Sequence, residues 1–102
     1  MKIKTEINNS KLLISLNGRL DTITSPQLEE EINNISLDEI EIIILDVKEL
    51  EYISSAGLRL VLKLHKKMTA QGGQLKLINV NDMIMEIFAM TGMSDFLDIE
   101  KA

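Results

Sequence analysis

The chain has 102 residues, no cysteine, no tryptophan, one proline and five glycines; at 45% hydrophobic and 26% charged it is one domain's worth of foldable sequence rather than a disordered segment. Eleven basic against sixteen acidic side chains leave a net charge of -5, and with 3% aromatic residues this excludes nucleic acid as the expected partner, because phosphates call for clustered Lys and Arg. The most strongly apolar run, Ile42-Ile43-Ile44-Leu45, is far short of the roughly 20 residues of a membrane helix, so no membrane association is expected. Met1-Lys2-Ile3-Lys4 lacks the apolar stretch of a signal peptide, and the absence of cysteine excludes disulfides and thiolate metal sites. A reducing, cytoplasmic setting is the expectation. Acidity is concentrated early: residues 1–51 hold five basic and eleven acidic side chains, net -6, whereas residues 52–102 hold six and five, net +1.

Ile3, Thr5 and Ile7 alternate, as do Leu12, Ile14 and Leu16 with Leu13, Ser15 and Asn17, and Asn8-Asn9-Ser10 between them is turn chemistry. A hairpin is predicted, interrupted at Gly18. Ser25-Pro26 then opens a helix, Ser25 as cap and Pro26 at a first helical position where no donor is needed. Leu28, Ile32 and Ile35 recur at helical spacing, and Glu29-Glu30-Glu31 reads as an acidic first turn complementing the dipole. Ile40 to Val47 is β-branched and apolar on both faces, the mark of a central, covered strand with parallel neighbours.

After Ser54-Ser55 a long helix is predicted, with Leu58, Val61, Leu62, His65 and Met68 on one stripe and Arg59, Lys63 and Lys66 opposite. Gly72-Gly73 stops it. Leu75, Leu77 and Val80 mark another strand, Asn81 or Asp82 caps a short helix through Met90 ended by Gly92, and Phe96, Leu97 and Ile99 form a last apolar segment. The order β-β-α-β-α-β-α predicts an α/β domain: a mixed sheet of four to five strands with helices mainly on one face.

Catalytic chemistry finds little support. A Ser-His-Asp mechanism needs the single histidine, His65, beside a serine, but ten residues of helix put it roughly 15 Å along the axis from Ser55. On the apolar stripe, His65 reads as a packed or boundary side chain. Glu29-Glu30-Glu31 reads as a solvated helix start, no acidic spacing matches a calcium loop, and Gly72-Gly73 precedes a strand where a phosphate cradle would follow one. The expectation is a non-enzyme with no metal and no cofactor.

The unusual segment is Glu51-Tyr52-Ile53-Ser54-Ser55-Ala56-Gly57-Leu58-Arg59, where a buried strand ends, two hydroxyls appear, and a small residue and a glycine open the next helix. Two readings stand. A serine caps the helix by accepting from its orphan amides; or the pair of serines with Ala56-Gly57 forms a sterically open docking or modification site, Gly57 letting another protein approach the backbone.

These residues resemble the signature of STAS domains, especially bacterial anti-sigma factor antagonists. Asp46 on the strand and Leu50 to Leu58 carry the likeness; Gly18-Arg19-Leu20-Asp21 is similar to the family's turn before its first helix, Gly72-Gly73 with Leu75 and Leu77 to its glycine pair before the next strand, and Ile87-Phe88-Ala89-Met90-Thr91-Gly92-Met93 to its late helix and turn. The likeness runs over nearly the whole chain and implies one STAS domain over residues 1–102. It implies a protein that binds an anti-sigma factor, usually a serine kinase as well, and so releases a sigma factor. The kinase phosphorylates a serine to end the binding, and a phosphatase restores it. Aligning Gly57-Leu58 puts the phosphoacceptor on Ser55; Ser54 stands where the family often has aspartate and is the alternative acceptor. The resemblance sets the turn carrying Asp21 and Thr22 beside Ser55, so that Asp21, Thr22, Ser54, Ser55, Ala56 and Gly57 are candidate partner contacts, with a plain turn or cap aspartate as the alternative for Asp21.

Two surfaces complete the set. Arg59, Lys63 and Lys66 form a basic stripe starting beside the serines, either a solvated face or, through Arg59 and Lys63, a steering surface for an acidic partner. Met83, Met85, Met90 and Met93 read first as core filling, with an adaptable partner surface as the alternative. Beside the antagonist reading stand a STAS scaffold or signalling subunit with a different partner, and a small-ligand or nucleotide sensor, for which no residue here indicates a pocket.

Overall fold

The computed structural model describes residues 1–102. The alternating start folds as a hairpin: β1 (Lys2–Asn8) pairs antiparallel with β2 (Lys11–Leu20), and Asn9 in the turn has φ 58°, a left-handed conformation that asparagine tolerates. Then follow α1 (Ser25–Asn33), β3 (Ile42–Ile53), α2 (Ser55–Ala70), β4 (Gln74–Val80), α3 (Asp82–Met90), a 3-10 turn (Met93–Asp95) and β5 (Asp98–Lys101). Strands lie in the sheet in chain order, β1-β2-β3-β4-β5, and every pair after the first is parallel. Each crossover therefore advances one strand in the same direction, and the right-handed connection that a twisted strand favours puts all three helices on the same side.

Cross-strand pairing aligns the buried side chains. Leu12 pairs with Ile43 and Ile43 with Leu75; Ile14 pairs with Leu45 and Leu45 with Leu77. These meet Leu28 and Ile32 of α1, Leu60, Val61, Leu64 and Met68 of α2, and Ile84 and Phe88 of α3 in a single core. Neighbouring Leu13, Ile42, Ile44, Asp46, Lys76 and Ile78 point to the other face and stay half-exposed. The Ile42–Leu45 run is thus covered on one face only; the helices leave the other to water.

Other boundaries differ from expectation for identifiable reasons. β3 begins at Ile42 and runs on to Ile53, with two irregularities against β2 where β3 carries an extra residue, between Asp46 and Glu49 and between Leu50 and Tyr52. Gly18 does not end β2; at φ +116° it sits at the second of these shifts, and the strand continues to Leu20. Ser25 is not the cap of α1 but its first residue: Thr24 holds the cap position and makes no side-chain cap bond. Glu29-Glu30-Glu31 consequently lies in the second turn, away from the dipole's positive end.

Leucines at 58, 60, 62 and 64 supply α2 with two candidate apolar stripes; the buried one is Gly57, Leu60, Val61, Leu64 and Met68, with Leu58, Leu62 and His65 along its border. Gly72 at φ +79° follows the end of α2, and the Asn81 side-chain oxygen accepts from the Ile84 amide at 2.9 Å to cap α3. The last apolar segment adds a strand to the expected order, Ile99 of β5 pairing with Leu77 of β4. Of the methionines, Met93 is buried and Met85 half-buried, but Met83 and Met90 are exposed, so core filling accounts for only two of those four.

Candidate functional site

Strands β2 and β3 end side by side. Leu20 pairs with Ile53, and the Ser54 amide donates to the Leu20 carbonyl at 2.9 Å, which ties the start of α2 to the turn leading into α1. That turn is built from its own polar groups. Oδ1 of Asp21 accepts from the amides of Ile23 and Thr24, both at 3.0 Å. The Thr24 hydroxyl accepts from the Asp21 amide at 2.9 Å and donates to the Arg19 carbonyl at 2.6 Å, and the Ser25 amide donates to the Asp21 carbonyl at 2.8 Å.

These donors hold the Asp21 carboxyl below its ordinary pKa. The Thr24 amide contributes most; partial desolvation opposes it; the Ile23 amide, the Thr24 hydroxyl and Arg19 add to it. Arg19 itself lies over the Tyr52 ring, 4.4 Å from its centre.

The two serines divide their work. Ser54, extended at φ -94° and ψ 177°, is the N-cap of α2, and its half-buried hydroxyl accepts from the Gly57 amide at 3.4 Å. Ser55 is the first residue of the helix, exposed, and its hydroxyl makes no hydrogen bond within the chain. One serine is spent on the fold and the other is displayed.

Gly57 does not leave an open approach. It is buried, and a Cβ there would stand 2.8 Å from Cγ1 of Ile53 and 2.9 Å from both Cγ and the carbonyl oxygen of Leu20. The glycine lets α2 pack against the ends of β2 and β3, so its expected place among partner contacts is replaced by an internal one. Ala56, half-exposed, lies above it and shares with Thr22, Ser25, Pro26, Glu29, Arg59, Leu60 and Lys63 a shallow cleft of about 240 Å³ between the two helices.

Lys63 donates to Oε2 of Glu29 on α1 at 2.6 Å, an exposed pair that bridges the helices. Arg59 is exposed and paired with no carboxylate. Thr22, Ala56, Arg59 and Lys63 thus line one cleft, while Asp21 and Ser55 do not line it and stand next in sequence to Leu20 and Ser54, whose backbones are tied.

Sequence reading passed over Ile23. It is 85% exposed, on a turn whose backbone the Asp21 and Thr24 bonds immobilise. The signal was available: an isoleucine between two threonines in a turn, outside any strand or helix periodicity. His65 lies apart from this surface, half-buried on α2 with its ring 5.3 Å from that of Phe96.

The chain belongs to the STAS domain family, whose model matches residues 2–102. It is 28% identical over 101 residues to the anti-sigma-B factor antagonist of Bacillus subtilis, covering 97% of this chain and 92% of that one. Its fold is similar to that of the anti-sigma factor antagonist SpoIIAA in its unphosphorylated form, with a TM-score of 0.81 at 22% identity over 96% of this chain and 87% of that one. The phosphorylated form of the Bacillus cell fate determinant SpoIIAA gives a TM-score of 0.76 at 23% identity, over 96% and 90% of the two chains. No helix is long and apolar enough to cross a membrane.

Proposed function

We propose that this protein is an anti-sigma factor antagonist: a binding module that docks on an anti-sigma factor, frees a sigma factor, and is switched off when that partner, acting as a serine kinase, phosphorylates Ser55. A phosphatase acting on the phosphoserine restores binding. The observation that carries the reading is the division between the serines, with Ser54 capping α2 and the Ser55 hydroxyl exposed and unbonded. Names of similar proteins supply the partner class.

In the transfer, Oγ of Ser55 attacks the γ-phosphorus of ATP, ADP leaves, and the hydroxyl proton passes to the kinase. The product carries about 1.5 to 2 negative charges at a helix N-terminus, where the dipole and first-turn amides tolerate an anion, so the fold is retained. The cost falls on docking. Thr22, Ala56 and Arg59 share a cleft, exposed Ile23 follows Thr22 in the turn, and Arg59 is unpaired; a dianion on neighbouring Ser55 must be desolvated on docking and repels any approaching carboxylate. A penalty of about 3 kcal/mol lowers affinity by roughly two powers of ten.

Incubation with the cognate anti-sigma kinase and ATP, followed by fragmentation mass spectrometry, tests this directly. A phosphate on Ser55 and loss of the complex are expected. Phosphate on neither serine, or on Ser54 alone, overturns it.

A further inference from the structure

We propose that a phosphate on Ser55 is gripped by Arg59, so that the modification adds charge to the docking surface and also withdraws that surface's free cation. The reading rests on the proposed phosphorylation for its biological occasion, but its physics belongs to this chain alone. Ser55 and Arg59 are four residues apart on α2, which puts their Cβ atoms about 5–6 Å apart on one face. Side chains on a helix lean toward its N-terminus, so the Arg59 guanidinium extends back over the first turn, where Ser55 sits. Its planar fork matches two phosphate oxygens, a geometry lysine cannot supply.

No carboxylate is paired with the guanidinium. Among nearby carboxylates, Glu29 of α1 is held by Lys63 at 2.6 Å, and Asp21 is engaged by the amides of Ile23 and Thr24, with Arg19 at 4.0 Å. Lys63, a further turn along α2 and already paired, is the poorer clamp. Arg59 is exposed and carries no packing duty, so the clamp forms without disturbing the core. Before modification Arg59 is available to a partner's acidic group; afterwards it is satisfied within its own helix.

The test uses the full chain with phosphoserine installed at position 55 during synthesis, which requires no kinase. The second phosphate ionisation is followed by phosphorus NMR across pH in the parent, in Arg59→Gln and in Lys63→Gln. The clamp stabilises the dianion, so the parent midpoint is expected to lie about half a pH unit below that of Arg59→Gln, with Lys63→Gln matching the parent. Equal midpoints in the parent and Arg59→Gln overturn the proposal. So does a shift in Lys63→Gln as large as that in Arg59→Gln, which would indicate a diffuse field. A kinase that fails to modify Ser55 leaves this measurement standing, and equal midpoints here leave the kinase result standing.

Discussion

Gly57→Ala separates an internal role for that glycine from a partner-facing one. The added methyl would sit 2.8 Å from Cγ1 of Ile53 and 2.9 Å from Cγ and the carbonyl oxygen of Leu20, well inside the roughly 3.5–4.0 Å optimum for carbon contacts. Relief is difficult. Leu20 and Ile53 are 0% and 3% exposed, and the Leu20 carbonyl is pinned by the Ser54 amide at 2.9 Å. Overpacking of this kind costs about 1–3 kcal/mol. Alanine returns about 1 kcal/mol of helix propensity, leaving a net loss of about 1 kcal/mol at the middle of that range and about 2 at its upper end. For a chain of this size each kcal/mol lowers Tm by about 4–8 °C, so calorimetry should resolve the difference easily. A variant as stable as the parent, or more so, refutes the packing assignment and returns Gly57 to the docking surface.

The serines should respond in opposite ways to truncation. Ser54→Ala is expected to cost about 0.5–1 kcal/mol in urea unfolding, the lower part of the capping range because its bond is long, whereas Ser55→Ala stays within about 0.5 kcal/mol of the parent. The reverse ranking would refute the cap assignment. Asp21 is depressed in the folded state, so its contribution is present above the unfolded value near 3.8 and lost as pH falls through the lower folded one. Asp21→Asn should therefore be less stable than the parent at neutral pH, with the gap closing on acidification below about pH 4; a gap independent of pH would contradict this. Ile23→Ala should leave unfolding within about 0.5 kcal/mol of the parent yet weaken anti-sigma binding at least about tenfold by titration calorimetry, and a change under about twofold would remove Ile23 as an anchor.

Where local chemistry has one solution, the sequence was readable. The β1–β2 hairpin follows from alternation around Asn8-Asn9-Ser10, the central position of β3 from its β-branched run, and the start of α2 from Ser54-Ser55. Where the chain offers two equivalent solutions, tertiary packing chose. Leucine at every second position from 58 to 64 leaves the buried stripe of α2 undefined until α1 and the sheet are in place. Ser25 lost the cap position because Asp21 and Thr24 already form a closed hydrogen-bonded turn that brings the Ser25 amide to the Asp21 carbonyl. The bulges of β3 arise from its match to β2 and have no composition of their own. Gly57 was misread because a glycine at a helix start looks the same in sequence whether the space beside it is empty or filled by Leu20 and Ile53.

The same packing explains why a switch at Ser55 can be decoupled from stability. A half-buried capping hydroxyl such as that of Ser54 could carry a phosphate only by turning its bulk and charge out to water, which breaks the cap bond and puts the fold at risk with each cycle. Here Ser54 carries the cap, Gly57 brings α2 hard against Leu20 and Ile53, and the Asp21 turn is closed by its own bonds, so three local constraints fix the platform without using Ser55. Ser55 is left with exposure and with Arg59 one turn away, the two features on which a charge-based signal depends. On this argument, moving the acceptor by one residue should change the outcome: phosphoserine installed at 54 sacrifices the cap and lowers Tm, whereas at 55 Tm is retained. Equal Tm values for the two would show that the platform does not depend on the Ser54 hydroxyl.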